Sequence, residues 1–117
     1  MKSKYFVLAC ILLLFASCGK GPEHYYFGDY SEAERLYNRE DYKKAIVKYQ
    51  AYLDDNPEGN LAVISQYYIG RSYAALGRPD EAVKAFDKVV KDHPKTVWAN
   101  FAEQQMKEIE SRAPKTA

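Results

Sequence analysis

From residue 29 to residue 111, apolar and polar positions follow a helical period rather than the alternation of a strand. The clearest stretch is Ala82, Ala85, Phe86, Val89 and Val90, one stripe at spacings of three and four. Gly77 and Pro79 lie just before it, in the order expected of a glycine closing one helix and a proline opening the next. Asp80 and Glu81 suit the positive first turn, Lys88 and Lys91 the negative last turn, and Pro94 cannot continue the hydrogen-bond ladder. These signals predict a helix over 79–92. The same reading predicts a helix over 29–39 with Ala33, Leu36 and Tyr37 on one face and Asp29, Glu32 and Glu34 in its first turn. A helix over 42–55 follows, opened by Asp41 as N-cap and turning Ala45, Tyr49 and Leu53 inward. The segment 60–76 is the most apolar and is expected at the centre, with a stripe of Leu61, Ile64, Tyr68, Ile69, Tyr73 and Leu76. A last helix is expected over 96–111. The fold class is all-α.

These helices repeat. Ala45 and Ala82, Tyr49 and Phe86, Leu53 and Val90, and Pro57 and Pro94 each stand 37 residues apart (82 − 45, for example). A constant offset of this size indicates stacked helical hairpins. Gly70 is expected to be a notch that admits the following helix, because a glycine inside a helix otherwise costs about 1 kcal/mol against alanine. In the last helix Phe101 and Met106 take the places of Ile64 and Ile69, whereas Lys107 and Glu110 replace Gly70 and Tyr73. An apolar face toward the preceding repeat and a polar opposite face are what a capping helix needs. Asp29 and Glu32 fall where a packed repeat would be apolar, which fits an uncovered first edge.

The positions Ile69, Gly70, Tyr73, Gly77, Ala82, Phe86 and Pro94 resemble a tetratricopeptide repeat; the first copy, with Ala45, Tyr49 and Pro57, resembles it less closely. There Glu40 stands in place of the turn glycine and Tyr52 in place of a usual alanine. The run Asn56 to Asn60 is similar to the extended linker of bacterial outer-membrane variants. The resemblance implies a short solenoid of two repeats plus a capping helix over 29–112, followed by a frayed tail at 113–117. It also implies binding rather than catalysis, since no catalytic residue belongs to the motif.

The chain opens differently. Lys2 and Lys4 precede an apolar run from Tyr5 to Phe15, and Ala16, Ser17 and Cys18 follow. A positive start, a short apolar core and small residues predict a secretory signal over 1–17, and the run is shorter than the ~20 residues a spanning helix requires. Phe15-Ala16-Ser17-Cys18 resembles a bacterial lipobox, which implies lipidation of Cys18 and a polar tether over 18–28. Gly19, rather than aspartate, after the cysteine implies the outer membrane, with the domain in the periplasm. Cys10 leaves with the signal, so no disulfide is expected in the mature chain.

Charge and chemistry narrow the function. Of 17 Lys and Arg, two belong to the signal, leaving 15 against 16 Asp and Glu. That balance argues against a nucleic-acid partner. His24 and His93 have no ligand partners at metal spacing, Ser65 and Ser72 lie in no nucleophile elbow, and the adjacent Asp54 and Asp55 point apart on a helix. No cofactor, metal or enzyme activity is expected. Tyrosine is the one excess, with 11 in the chain.

The repeat family's geometry places Phe27, Tyr30, Glu34 and Tyr37, with Tyr67 and Arg71, on a concave face, where aromatic residues and an arginine suit partner binding. The expected function is a lipid-anchored periplasmic adaptor. It would bind a peptide segment of another envelope protein, in outer-membrane protein assembly or envelope organisation. The chain resembles the first repeats of the lipoprotein subunit of the β-barrel assembly machine and of the Tol-system-associated repeat proteins, which are longer. The alternative is a pilotin-like lipoprotein escorting a secretin or pilus component.

Overall fold

The computed structural model describes residues 26–114, so the signal expected over 1–17, the expected lipidation site Cys18, the expected tether as far as residue 25 and the last three residues lie outside the described part. Five helices follow in order: α1 (Asp29–Asn38), α2 (Tyr42–Asp55), α3 (Asn60–Ala75), α4 (Pro79–Asp92) and α5 (Val97–Arg112). All secondary structure among the described residues is helical, and each predicted helix is present to within a residue at either end. Residues 26–28 are not free of the domain. The Phe27 amide donates to Ser31 Oγ at 2.8 Å and the Phe27 carbonyl accepts from the Tyr30 amide, so the order of the domain begins before residue 29.

The two hairpins share one backbone, hydrogen bond for hydrogen bond. In the first, Glu40 N–H donates to the Tyr37 carbonyl and Asp41 N–H to that of Leu36, both at 2.9 Å. In the second, Gly77 N–H donates to Ala74 at 3.1 Å and Arg78 N–H to Tyr73 at 2.9 Å. Every donor and acceptor is displaced by the same 37 residues (77 − 40, 73 − 36). These nested bonds satisfy carbonyls that a helix end leaves without partners, and they need a left-handed residue at the closing position. Gly77 has φ +71°; Glu40, in the same place, has φ +63°. Glutamate therefore takes a conformation in which its Cβ crowds the backbone.

Caps are set more by position than by side chain. Asp41 is the N-cap of α2 as expected, yet its carboxylate makes no cap bond and pairs with Lys44 at 3.7 Å instead. Thr96 does cap α5: its Oγ1 accepts from the Ala99 amide at 3.2 Å and donates to the His93 carbonyl at 2.8 Å. His93 closes α4 through its backbone amide, bonded to Val89.

Two apolar clusters lie on opposite sides of α3. One joins Tyr30, Ala33, Ala45, Tyr49, Ile69 and Ala85; the other joins Val63, Tyr67, Ala82, Phe86, Val89 and Ala102. Because α3 is covered on several sides, its buried set is not the single expected stripe. Leu61, Ile64, Tyr68, Tyr73 and Leu76 are only half-buried, while Ala62, Val63, Ser65, Gln66, Tyr67, Ile69, Gly70 and Ser72 are buried. The buried hydroxyls of Ser65 and Ser72 donate to the carbonyls four residues earlier, and Gln66 Nε2 donates to the Ala85 carbonyl, so their burial leaves no polar atom unpaired.

Gly70 is a true notch. A Cβ built there would lie 2.6 Å from the Phe86 ring, which is itself fully buried. The first hairpin solves the same crossing with Ala33 and Tyr49. The last helix differs from expectation in one respect. Ala99 and Ala102 carry its buried face, whereas Phe101 sits at the rim, 41% exposed. Lys107 and Glu110 are exposed, which leaves a polar outer face. At the other edge Lys48 bonds Asp29 at 3.1 Å and Glu32 at 3.2 Å, so the acidic positions of α1 are met by a cation of α2.

Candidate protein-docking face

The curvature of the array follows from which helices touch. α1 approaches α3 and α3 approaches α5, whereas α2 and α4 do not come together. The first helices of the hairpins are therefore drawn in and the second helices splay apart, so α1, α3 and α5 line the concave side. On the convex side the gap between α2 and α4 is a groove floored by Gln66, Ile69 and Tyr73.

A ladder of rings runs along the concave side and into the core. Tyr37 meets Tyr68 at 4.9 Å, Tyr68 meets Tyr67 at 5.6 Å, and Tyr67 meets Trp98 at 5.1 Å; Trp98 meets Phe101 at 5.7 Å. Below it, Tyr49 stacks on Tyr68 at 5.9 Å, and Tyr30 meets Tyr49 and Tyr52. These separations lie in the range where offset and edge-on ring pairs are favourable. The tyrosine excess is thus largely a packing device. Tyr68 joins the two hairpins, and Tyr52, an oddity in the repeat pattern, fills the space beside Tyr30.

The expected partner-facing residues divide accordingly. Tyr30 and Tyr67 are core residues, 6% and 5% exposed, and do not present their rings at the surface. Tyr30 donates to Glu34 Oε1 at 3.1 Å, and burial together with that carboxylate pushes its phenol far above the ordinary range. Tyr67 is covered from the far side by Trp98 and Phe101 of α5, so replacing it by alanine would open a core cavity costing about 3–5 kcal/mol. What remains accessible is Tyr37, Glu34 and Arg71, half-buried, with Phe27 half exposed at one end. Trp98 and Phe101 extend this strip at the other end. Sequence reasoning missed Trp98, although the 37-residue offset gives it the place that Leu61 has on α3, a visible hint.

Arg71 sits among phenols. Its Nη1 lies 3.4 Å from the Tyr67 hydroxyl and its guanidinium carbon 6.0 Å from the centre of that ring. The Tyr37 phenol is pushed up by burial, partly countered by the charge of Arg71, so it is a neutral donor at physiological pH. Among the described residues, Arg71 is the one half-buried cation without a carboxylate within 4 Å. Lys48, the other half-buried cation, is paired twice.

Residues 65–96 match the tetratricopeptide repeat family. The match runs from the middle of α3 through α4 to the N-cap of α5, and so covers the second hairpin, with Gly70, Gly77, Ala82, Phe86 and Pro94 inside it. It does not extend over the first hairpin, although the turn bonds there are the same. No curated protein is significantly similar to the chain. A tetratricopeptide repeat is a protein-interaction element, and the all-helical solenoid agrees with it. Among the described residues no group of three or more His, Cys, Asp or Glu is placed to hold a metal, and no helix is long and apolar enough to cross a membrane.

Proposed function

We propose that the protein is a lipid-anchored adaptor of the bacterial envelope that docks a segment of another envelope protein on the concave face of its solenoid. The observation that carries the docking is the uncovered strip of Tyr37, Arg71, Trp98 and Phe101 along the inner helices of a tetratricopeptide-repeat array. Aromatic side chains and arginine are the residues that most often supply binding energy at protein interfaces. An extended or helical peptide fits such a face because the rings beneath it are already fixed by packing, so little ordering entropy is spent on the receptor side.

The anchor rests on the N-terminal residues: Lys2 and Lys4, the apolar run 5–15, and Ala16-Ser17-Cys18 ahead of a polar tether. Two or more acyl chains on Cys18 hold a protein at a membrane stably, where one does so only reversibly. The setting that follows is the periplasmic face of the outer membrane, and the pathway is assembly of outer-membrane proteins or organisation of the envelope.

In-cell photo-crosslinking tests this reading. A photoreactive residue at Tyr37 or Phe101 should capture the same envelope protein, identified by mass spectrometry, and one at Val47 on the convex side should not. In parallel, Cys18→Ala should release the protein from salt-washed membranes. Capture from Val47 alone would move the docking face, and full membrane retention of Cys18→Ala would remove the lipid anchor.

A further inference from the structure

We infer that the open first edge of the solenoid, the outer side of α1 from Tyr26 to Arg39, rests on the phospholipid surface, with the Tyr26 ring in the headgroup layer and the Arg39 guanidinium on a phosphate. This rests on the lipid anchor proposed above and names the surface against which the anchored domain lies.

Three observations carry it. First, Tyr26 is the most exposed large apolar side chain among the described residues, at 75%, and it shares a depression on the outer side of α1 with Arg35, Asn38 and Arg39. Of the other helices, α1 meets α2 and α3, so its outer side has no helix over it. A ring so exposed contributes little packing, and tyrosine, with an apolar body and a polar tip, is one of the side chains that gather at the boundary between membrane and water. Second, the carboxylates of this edge already have partners. Lys48 bonds Asp29 and Glu32, Arg35 lies 3.8 Å from Glu32, and Glu34 accepts from the Tyr30 hydroxyl. Arg39 is exposed and has no carboxylate within 4 Å among the described residues, and the guanidinium fork matches the oxygens of a phosphate as it does those of a carboxylate.

Third, the chain between anchor and edge is short. Eight residues lead from Cys18 to Tyr26 (26 − 18) and span about 29 Å at most. A connection of this length keeps the edge at roughly millimolar effective concentration over the surface. One ring and one cation, too weak to recruit a free protein, therefore suffice to orient an anchored one. The opposite end of the array lies two helix layers away, about 20 Å, and presents Glu103, Lys107 and Glu110 to solvent instead. With α1 down, α3 and α5 rise above it in turn, and the concave face opens sideways toward proteins of the same membrane.

The test uses the lipidated full chain, reconstituted into vesicles of phosphatidylethanolamine and phosphatidylglycerol, with a photoreactive residue at Asn38 or, in a second protein, at Lys107. Asn38 stands at the far end of α1, about 14 Å from Asp29, so closeness to the anchor alone does not favour it. Irradiation should add phospholipid at Asn38, read as added mass, about fivefold or more above Lys107. Tyr26→Ala and Arg39→Gln should each lower the yield at Asn38 by about threefold or more, with unchanged helical circular dichroism, since both side chains are exposed. Equal yields at Asn38 and Lys107, or a yield at Asn38 indifferent to both substitutions, would mean that the domain turns freely on its anchor and would overturn the inference. A crosslinked dimer in place of lipid would overturn it too, by assigning the edge to a second copy. The anchor is judged separately by flotation: if the protein floats with the vesicles and Asn38 gains no lipid, the anchor stands and the edge contact falls. If the protein does not float, both fall.

Discussion

The two hairpins are built alike and spelled differently. Their turns carry the same hydrogen bonds at the same offset, but one closes on Gly77 and the other on Glu40, at nearly the same positive φ. At the helix crossing, Gly70 lies against Phe86 in the second and Ala33 accompanies Tyr49 in the first. Only the second hairpin carries the family's signature strongly enough to match it. A repeat is therefore a backbone solution, and a side-chain motif is one way to encode it. The first hairpin reaches that solution with a strained turn and a cluster of tyrosines, held partly by its neighbour through Tyr68.

The largest effects should come from the crossing rings. Phe86→Ala and Tyr49→Ala each remove a fully buried ring and should cost about 3–5 kcal/mol. Since the two clusters meet across α3, each substitution should lower one shared unfolding transition, read by chemical denaturation. Two separate transitions would show that the hairpins fold independently.

Next comes the notch. Gly70→Ala drives a Cβ into the Phe86 ring and should cost about 1–3 kcal/mol by overpacking, even though alanine is the better helix former. Ala33→Gly in the first hairpin loses helix propensity and a fully buried methyl and should cost about 2 kcal/mol, with no overpacking. A Gly70→Ala variant as stable as wild type or more so would mean that the crossings do not differ as described.

The turns should respond in opposite directions. Glu40→Gly relieves a left-handed non-glycine and should stabilise by about 1 kcal/mol, and Gly77→Ala should destabilise by a similar amount. The same sign for both would contradict the shared turn geometry.

Smallest is the edge. Lys48→Ala removes the bridge to Asp29 and Glu32 and should lower the midpoint slightly, an effect that fades in high salt. Hydrogen bonds from Lys48 to Asp29 and then Glu32 hold its ammonium above the usual lysine range. Its contribution is thus complete below ordinary lysine titration and is lost as the pH rises through the raised value. A difference between wild type and Lys48→Ala that persists above that titration would argue against the bridge.

Much of this fold was legible because capping signals and a 37-residue offset are local properties of the chain. The start of α2 and both bounds of α4 follow from Asp41, Pro79 and Pro94 without reference to packing. The face of α3 was not legible: a central helix touches neighbours on several sides, and serines that bond their own backbone are as buried there as valines. The docking face was legible only in part. Family geometry put Tyr30 and Tyr67 toward a partner, but neighbouring rings from Tyr52, Trp98 and Phe101 cover them, and those contacts span 22 to 34 residues of sequence. Arg71 stood out in sequence only as an arginine beside tyrosines; that it has no carboxylate partner among the described residues depends on every neighbour at once.

The most direct test of the docking face is a nuclear magnetic resonance titration of the ¹⁵N-labelled soluble protein with the segment of the crosslinked envelope protein. Shifts should concentrate in the backbone of Tyr37, Arg71 and Phe101 and in the Arg71 Nε–H, leaving Val47, Lys84 and Lys88 unmoved. Shifts confined to Val47, Lys84 and Lys88 would place binding in the convex groove and contradict a concave docking face.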